Sequence, residues 1–251
     1  MLVVRLLLLL LLFDNIFAAQ YGTIFASANL RFVFPEMIEE FYKQNPDADV
    51  HIQYEGSGAL TKEILQGNHY DLFLAADMKY PKIVYKNQKA SDTPKVYTQG
   101  KLVLYVPKRL RQKYQGKKIR DILIQKEIQS IVIANKKDAP YGAASIEVLK
   151  NYKIYVQIKN KIHYTSDVAT AVYKLLWDSE VGFVPKSALL FFANKQKLNW
   201  MDIDQKIYKP ILQGYVLSKE GEKNLNATKF LAFLLSKKGQ NIFKKYGYVS
   251  K

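Results

Sequence analysis

Short β-branched or aromatic runs alternate with amphipathic helices, in about ten strands falling in two consecutive sets. No internal repeat or low-complexity linker separates the sets. These observations predict an α/β protein of two lobes, each a mostly parallel sheet flanked by helices, because strand–helix alternation leaves each sheet to be covered on both faces.

The elements follow in chain order. GTIFAS (22–27) reads as a strand. A helix over 30–45 carries Leu30, Phe34, Met37, Ile38 and Phe41 on one stripe, and Pro35 inside it should kink it. DVHIQY (49–54) is a strand before a helix over 59–66. YDLFLAA (70–76) is a buried strand, and Asp77 caps a helix over 78–87. KLVLYVP (101–107) is a strand, and a helix over 118–127 leads to strand SIVIAN (130–135) and a helix over 142–151. KIHYT (161–165) precedes a helix over 168–177, then strand EVGFVP (180–185). The tail adds strand LQGYVLS (212–218), a helix over 222–237 and a last helical piece ending in KKYGYVSK. The polar stretch 86–101 is the hinge candidate, with a second crossing near 202–214. This places 20–98 and 216–251 in a first lobe and 99–215 in a second.

The first residues differ. MLVVRLLLLLLLFDNIFAAQ has a basic start at Arg5, an apolar run over 6–13 and small residues Ala18 and Ala19. That is the layout of a secretory leader, too short to span a bilayer comfortably. A retained anchor is the other reading; Asp14 and the small-residue exit argue against it. Cleavage after Ala18 or Ala19 leaves about 232 residues (251 minus 19), one or two domains by length. No second apolar run is long enough to span, so a soluble mature protein is expected. With no cysteine, the exported chain has neither disulfide nor a lipid-bearing thiol, and its stability must come from a packed core.

The net charge of +16 suggests nucleic acid at first sight. Yet only five of the 38 basic residues are arginines, the lysines run along the whole chain, and no nucleic-acid module is present. No nucleic-acid partner is expected; the positive field draws small anions at low salt.

In open α/β sheets, ligands sit beyond the carboxyl ends of strands, where helix starts offer unpaired N–H groups and a positive dipole end. Four such turns stand out. FASANLRF places Asn29 at a cap position, able to donate through its amide, beside small Ala26, Ser27 and Ala28. EGSGAL offers the Ser57 hydroxyl, with Gly56 and Gly58 leaving the backbone accessible. DAPYGAAS supplies Pro140, Tyr141 and Gly142. TSDVATAV has Ser166 or Asp167 capping, with the Val168 N–H near the helix start. Any one of these is explained as an ordinary cap; four at matching topological positions make the stronger statement.

Rival chemistries find little support. A nucleophile elbow needs glycine two residues either side of the serine, where Ser57 has Glu55 and Ala59. ALTKE does not make a phosphate-binding P-loop. His51, His69 and His163 have no spaced partners, so no metal site is expected, and no catalytic set is visible.

Across essentially the whole mature chain, the blocks TIFASANLRFVFPEMIEEF, YEGSGALTKEILQGNHYDLFLAADMKYP, KLVLYVPK, APYGAASIEVLK, SDVATAV, EVGFVP and IFKKYGYV occur in order. In them the sequence resembles the periplasmic molybdate-binding proteins of ABC importers, of the type II periplasmic-binding-protein fold. The resemblance implies a non-enzymatic protein that captures molybdate, and tungstate, between its lobes with neutral donors. It places Ala28, Asn29, Ser57, Tyr141 and Val168 at the oxyanion. It also implies no cofactor, a membrane permease as partner, a periplasmic location and a monomer. Where some members have a tyrosine donor after a GIV-like strand, Pro185 stands here, so that contact is lost; Tyr141 is the candidate to supply a hydroxyl instead. Pro185 and Asn29 keep another anion open as ligand (sulfate, phosphate or a small organic acid), and the same fold could serve an adhesin or sensor.

Overall fold

The computed structural model describes residues 21–178, 180–193 and 197–249; the expected leader lies outside the described residues. Among the described residues, ten strands form two five-stranded sheets. β1 (Gly22–Ser27), β2 (Val50–Glu55), β3 (Leu72–Leu74), β4 (Lys95–Gly100) and β10 (Ile211–Leu217) make the first sheet, in the order β2-β1-β3-β10-β4. β5 (Leu102–Tyr105), β6 (Ile131–Ala134), β7 (Ile162–Thr165), β8 (Val181–Pro185) and β9 (Trp200–Asp202) make the second, in the order β7-β6-β8-β5-β9.

The two sheets share one topology. In the first, β1 pairs in parallel with β2 and β3, while β10 is antiparallel to both β3 and β4. In the second, β6 pairs in parallel with β7 and β8, while β5 is antiparallel to both β8 and β9. Each sheet is therefore parallel except for one reversed strand, and the reversed strands, β5 and β10, begin just after the two crossings between lobes.

The helices are α1 (Phe34–Gln44), α2 (Ser57–Gln66), α3 (Lys79–Lys86), α4 (Ile119–Leu123), α5 (Pro140–Asn151), α6 (Tyr155–Ile158), α7 (Val168–Asp178), α8 (Lys186–Ala193), α9 (Leu225–Leu235) and α10 (Lys237–Lys245). The C-terminal helices pack on the first lobe. Phe41 of α1 meets Phe230 of α9 edge-on at 5.2 Å and 89°, and both rings are fully buried. Near the end of the chain, Val249 exchanges backbone bonds with Gln99 of β4 at 2.8 and 3.2 Å.

Several expectations need correction. The helix expected over 30–45 is a 3-10 turn, Ala28–Phe32, followed by α1, and Pro35 lies in the first turn of α1. There its missing N–H costs nothing, so it starts a helix instead of kinking one. The polar hinge candidate contains β4, whose Tyr97 and Thr98 are buried. The helix expected over 118–127 shrinks to five residues. β4 runs to Gly100 and β10 starts at Ile211, so residues 99–100 and 211–215, expected in the second lobe, pair in the first sheet. Among the described residues no helix is long and apolar enough to cross a membrane.

Candidate functional site

The turns after β1 and β2 face the turns after β6 and β7. Between them lies a small cavity of about 10 Å³ lined by Ser27, Ala28, Asn29, Gly56, Ser57, Ala76, Ala139, Pro140, Tyr141 and Val168. All five residues singled out in the sequence (Ala28, Asn29, Ser57, Tyr141 and Val168) line it; Pro185, which ends β8 opposite Leu102, does not. No lining residue carries a charge. Three helices begin at this wall, α2 at Ser57, α5 at Pro140 and α7 at Val168. Their dipoles bring partial positive charge to the cavity without a cation.

Each side chain is held by specific partners. The Ser57 oxygen accepts the Ala76 N–H at 2.9 Å, and the Ser57 carbonyl accepts the Thr61 hydroxyl at 2.8 Å. With a backbone donor on the Ser57 oxygen, its own proton points elsewhere and is free to donate. Asp167 caps α7 by accepting the N–H groups of Ala169 and Thr170 at 2.7 and 3.0 Å; Val168 is left at the cavity wall, buried.

Asn29 differs from expectation. It is the second residue of the 3-10 turn, with Ser27 at the cap position. Its amide donates to the Gln213 carbonyl oxygen at 3.2 Å and to the Tyr248 hydroxyl at 3.0 Å, and its oxygen accepts the Ser27 hydroxyl at 2.7 Å. Both amide hydrogens are thus engaged inside the protein, and what Asn29 presents to the cavity is backbone. Tyr141 is likewise tied inward, its hydroxyl accepting from Gln213 Nε2 at 3.0 Å. Burial pushes the Tyr141 and Tyr97 hydroxyls well above the usual tyrosine range, and Tyr248 up to about 12. All three stay neutral donors at any physiological pH.

The lobes touch beside the cavity. The Gly58 N–H donates to the Asp138 carbonyl at 3.1 Å, the Tyr80 hydroxyl donates to the Lys137 carbonyl at 2.6 Å, and Lys62 lies 3.6 Å from the Asp138 carboxylate. A β-carbon on Gly58 would come within 2.7 Å of that carboxylate and 2.9 Å of the Asp138 Cα. Gly58 is therefore glycine because the other lobe presses against it, where the sequence suggested access to the backbone.

Gln213, Tyr97 and Tyr248 were missed in the sequence. No motif marks a lone glutamine in a strand, and tyrosines are abundant in this chain, 18 in all. Ala76 was within reach, since the DLFLAAD block ends the strand beside Ser57. Among the described residues no group of three or more His, Asp or Glu is placed to hold a metal ion.

Two equivalent α/β lobes, a cleft at the carboxyl ends of their strands and a small neutral cavity between them define a two-lobed solute-binding protein. The profile of the bacterial extracellular solute-binding proteins matches residues 23–249, and the chain belongs to that family. It is 29% identical to the molybdate-binding protein ModA of Rhodobacter capsulatus over 235 residues, covering 92% of this chain and 90% of that one. A putative ABC transporter substrate-binding lipoprotein of Bacillus subtilis is 26% identical, with 91% and 86% covered. Among solved structures, the periplasmic molybdate-binding protein of Azotobacter vinelandii superimposes with a TM-score of 0.82 at 26% identity, covering 92% of this chain and 99% of that one.

Proposed function

We propose that this protein captures molybdate, and tungstate, in the periplasm and delivers it to the membrane permease of an ABC importer. The observation that carries the reading is the cavity wall: four turns from two lobes, three of them helix starts, with no charged side chain. A fully deprotonated oxyanion needs donors on every side and tolerates no facing acceptor. Charge-assisted bonds from fixed N–H and O–H groups replace its hydration shell. So small a space between the two lobes favours a compact ion over a sugar or peptide. Ala28, Asn29, Ser57, Tyr141 and Val168 are the residues assigned to the ligand, Ser57 through its hydroxyl and Ala28, Asn29 and Val168 through backbone groups. Two of the relatives are named for molybdate and a third for an ABC transporter, which supports the reading. Calorimetry with molybdate, tungstate, sulfate and phosphate tests the reading: heat with the first two and little with the others is expected, and silence with the first two refutes it.

A further inference from the structure

Gln213 lies on β10, directly after the second crossing between lobes, and is fully buried. Its amide is divided between the lobes. The carbonyl oxygen accepts from the Tyr97 hydroxyl at 2.8 Å and from the Asn29 amide at 3.2 Å, both in the first lobe. The nitrogen donates to the Tyr141 hydroxyl at 3.0 Å, at the start of α5 in the second. Gly100, where β4 leaves the first sheet, makes room for this meeting: a β-carbon there would fall 2.0 Å from the Tyr141 oxygen and 2.8 Å from Gln213 Nε2.

We propose that Gln213 is a positioning residue that couples lobe closure to anion capture and sets how long the anion stays. The proposal rests on the anion-binding reading above. Gln213 is carried by a strand of the first sheet, so its bonds to Tyr97 and Asn29 move with that lobe. The bond to Tyr141 spans the lobes, and separating them breaks it. It is therefore made on closure and lost on opening, and it acts on release more than on encounter. It also fills an acceptor site on the Tyr141 oxygen, which turns that hydroxyl's own proton away from Gln213. The residue type matters. A side-chain amide accepts at one end and donates at the other. A carboxylate in its place accepts from Asn29 and Tyr97 but brings a buried negative charge to the back of an anion site.

Gln213→Met is expected to weaken molybdate binding by roughly 5- to 100-fold, the worth of one buried hydrogen bond, through faster release with an association rate within about twofold. Gln213→Glu should lose more. If Gln213 acts through Tyr141, Gln213→Met combined with Tyr141→Phe is no weaker than the worse single variant; additive losses overturn the proposal. Closure has its own readout. The chain has no cysteine, so Lys86→Cys and Lys150→Cys take one spin label on each lobe. Gln213→Met should shift the interlobe distances toward the open form with and without molybdate. Unchanged distances and unchanged release together refute the coupling. If the parent protein binds none of the four oxyanions, the anion reading fails while the distance measurement still decides whether Gln213 holds the lobes.

Discussion

In the proposed anion site, the Ser57 hydroxyl is held by what its oxygen already accepts. The Ala76 N–H, 2.9 Å away, fixes the oxygen and leaves the hydroxyl proton to donate elsewhere, so replacing the serine removes a donor while the cavity wall survives. Ser57→Ala should weaken molybdate binding by roughly 10- to 100-fold, as for a hydrogen bond to a charged group, and leave the melting temperature within a few degrees. Titration calorimetry and a thermal melt check both. Gly58→Ala tests the neighbouring contact. Its methyl would enter the space of Asp138, 2.7–2.9 Å away, so the variant should hold the lobes apart and weaken binding although no ligand donor is lost. An affinity equal to the parent's would show that the loop yields freely. At this scale the five residues singled out in the sequence line one cavity, because helix-start turns have recognisable chemistry. The sequence did not reveal orientation: Asn29 was expected to point its amide at the ligand, and only the positions of Gln213 and Tyr248, distant in sequence, turn that amide inward.

Elements with a strong period were legible, and those held by tertiary context were not. GTIFAS is the strand β1 over its full expected length, because its apolar Ile24–Ala26 segment is buried between β2 and β3. KVYTQG was hidden in a polar stretch; it becomes β4 because β10 and Val249 bond to its two edges. Pro35 is an ambiguous signal, since proline breaks a helix interior and starts a helix equally well. The pairing of α1 with the C-terminal helices offers two tests. Phe41→Ala empties a site between Phe230 and Phe233 and should cost about 3–5 kcal/mol, read as a lowered denaturant midpoint. On the surface, Glu40 accepts from Lys238 of α10 and, at 2.7 Å, from Lys43. Hydrogen bonds from Lys238 first, then Lys43, pull its carboxyl from 4.5 down to about 2. A carboxyl depressed by folding stabilises above its unfolded value and loses that contribution as pH falls through its folded one. The α1–α10 contact should therefore weaken between about pH 4.5 and 2. A carbon-detected titration should find Glu40 near 2, and Lys238→Met should move it upward; an unmoved midpoint would refute the pairing.

Over the whole molecule, charge and site are separate devices. The cavity wall is neutral, so the net charge of +16 does not sit against the ligand. The lysines are spread over the surface of both lobes, where their field would act on the proposed dianion from a distance. The helix starts and hydroxyls act only at contact. A screening ion weakens the first effect over a Debye length of about 10 Å at 0.1 M salt and scarcely reaches the second inside a closed cleft. Raising sodium chloride from about 10 to about 150 mM should therefore slow molybdate association several-fold and change dissociation by less than about twofold. Stopped-flow competition and ligand-release measurements separate the two rates. Equal salt sensitivity in both would mean that surface lysines reach into the bound state, contrary to the neutral wall. An association rate indifferent to salt would mean that the spread of lysine steers nothing, and that it serves solubility alone.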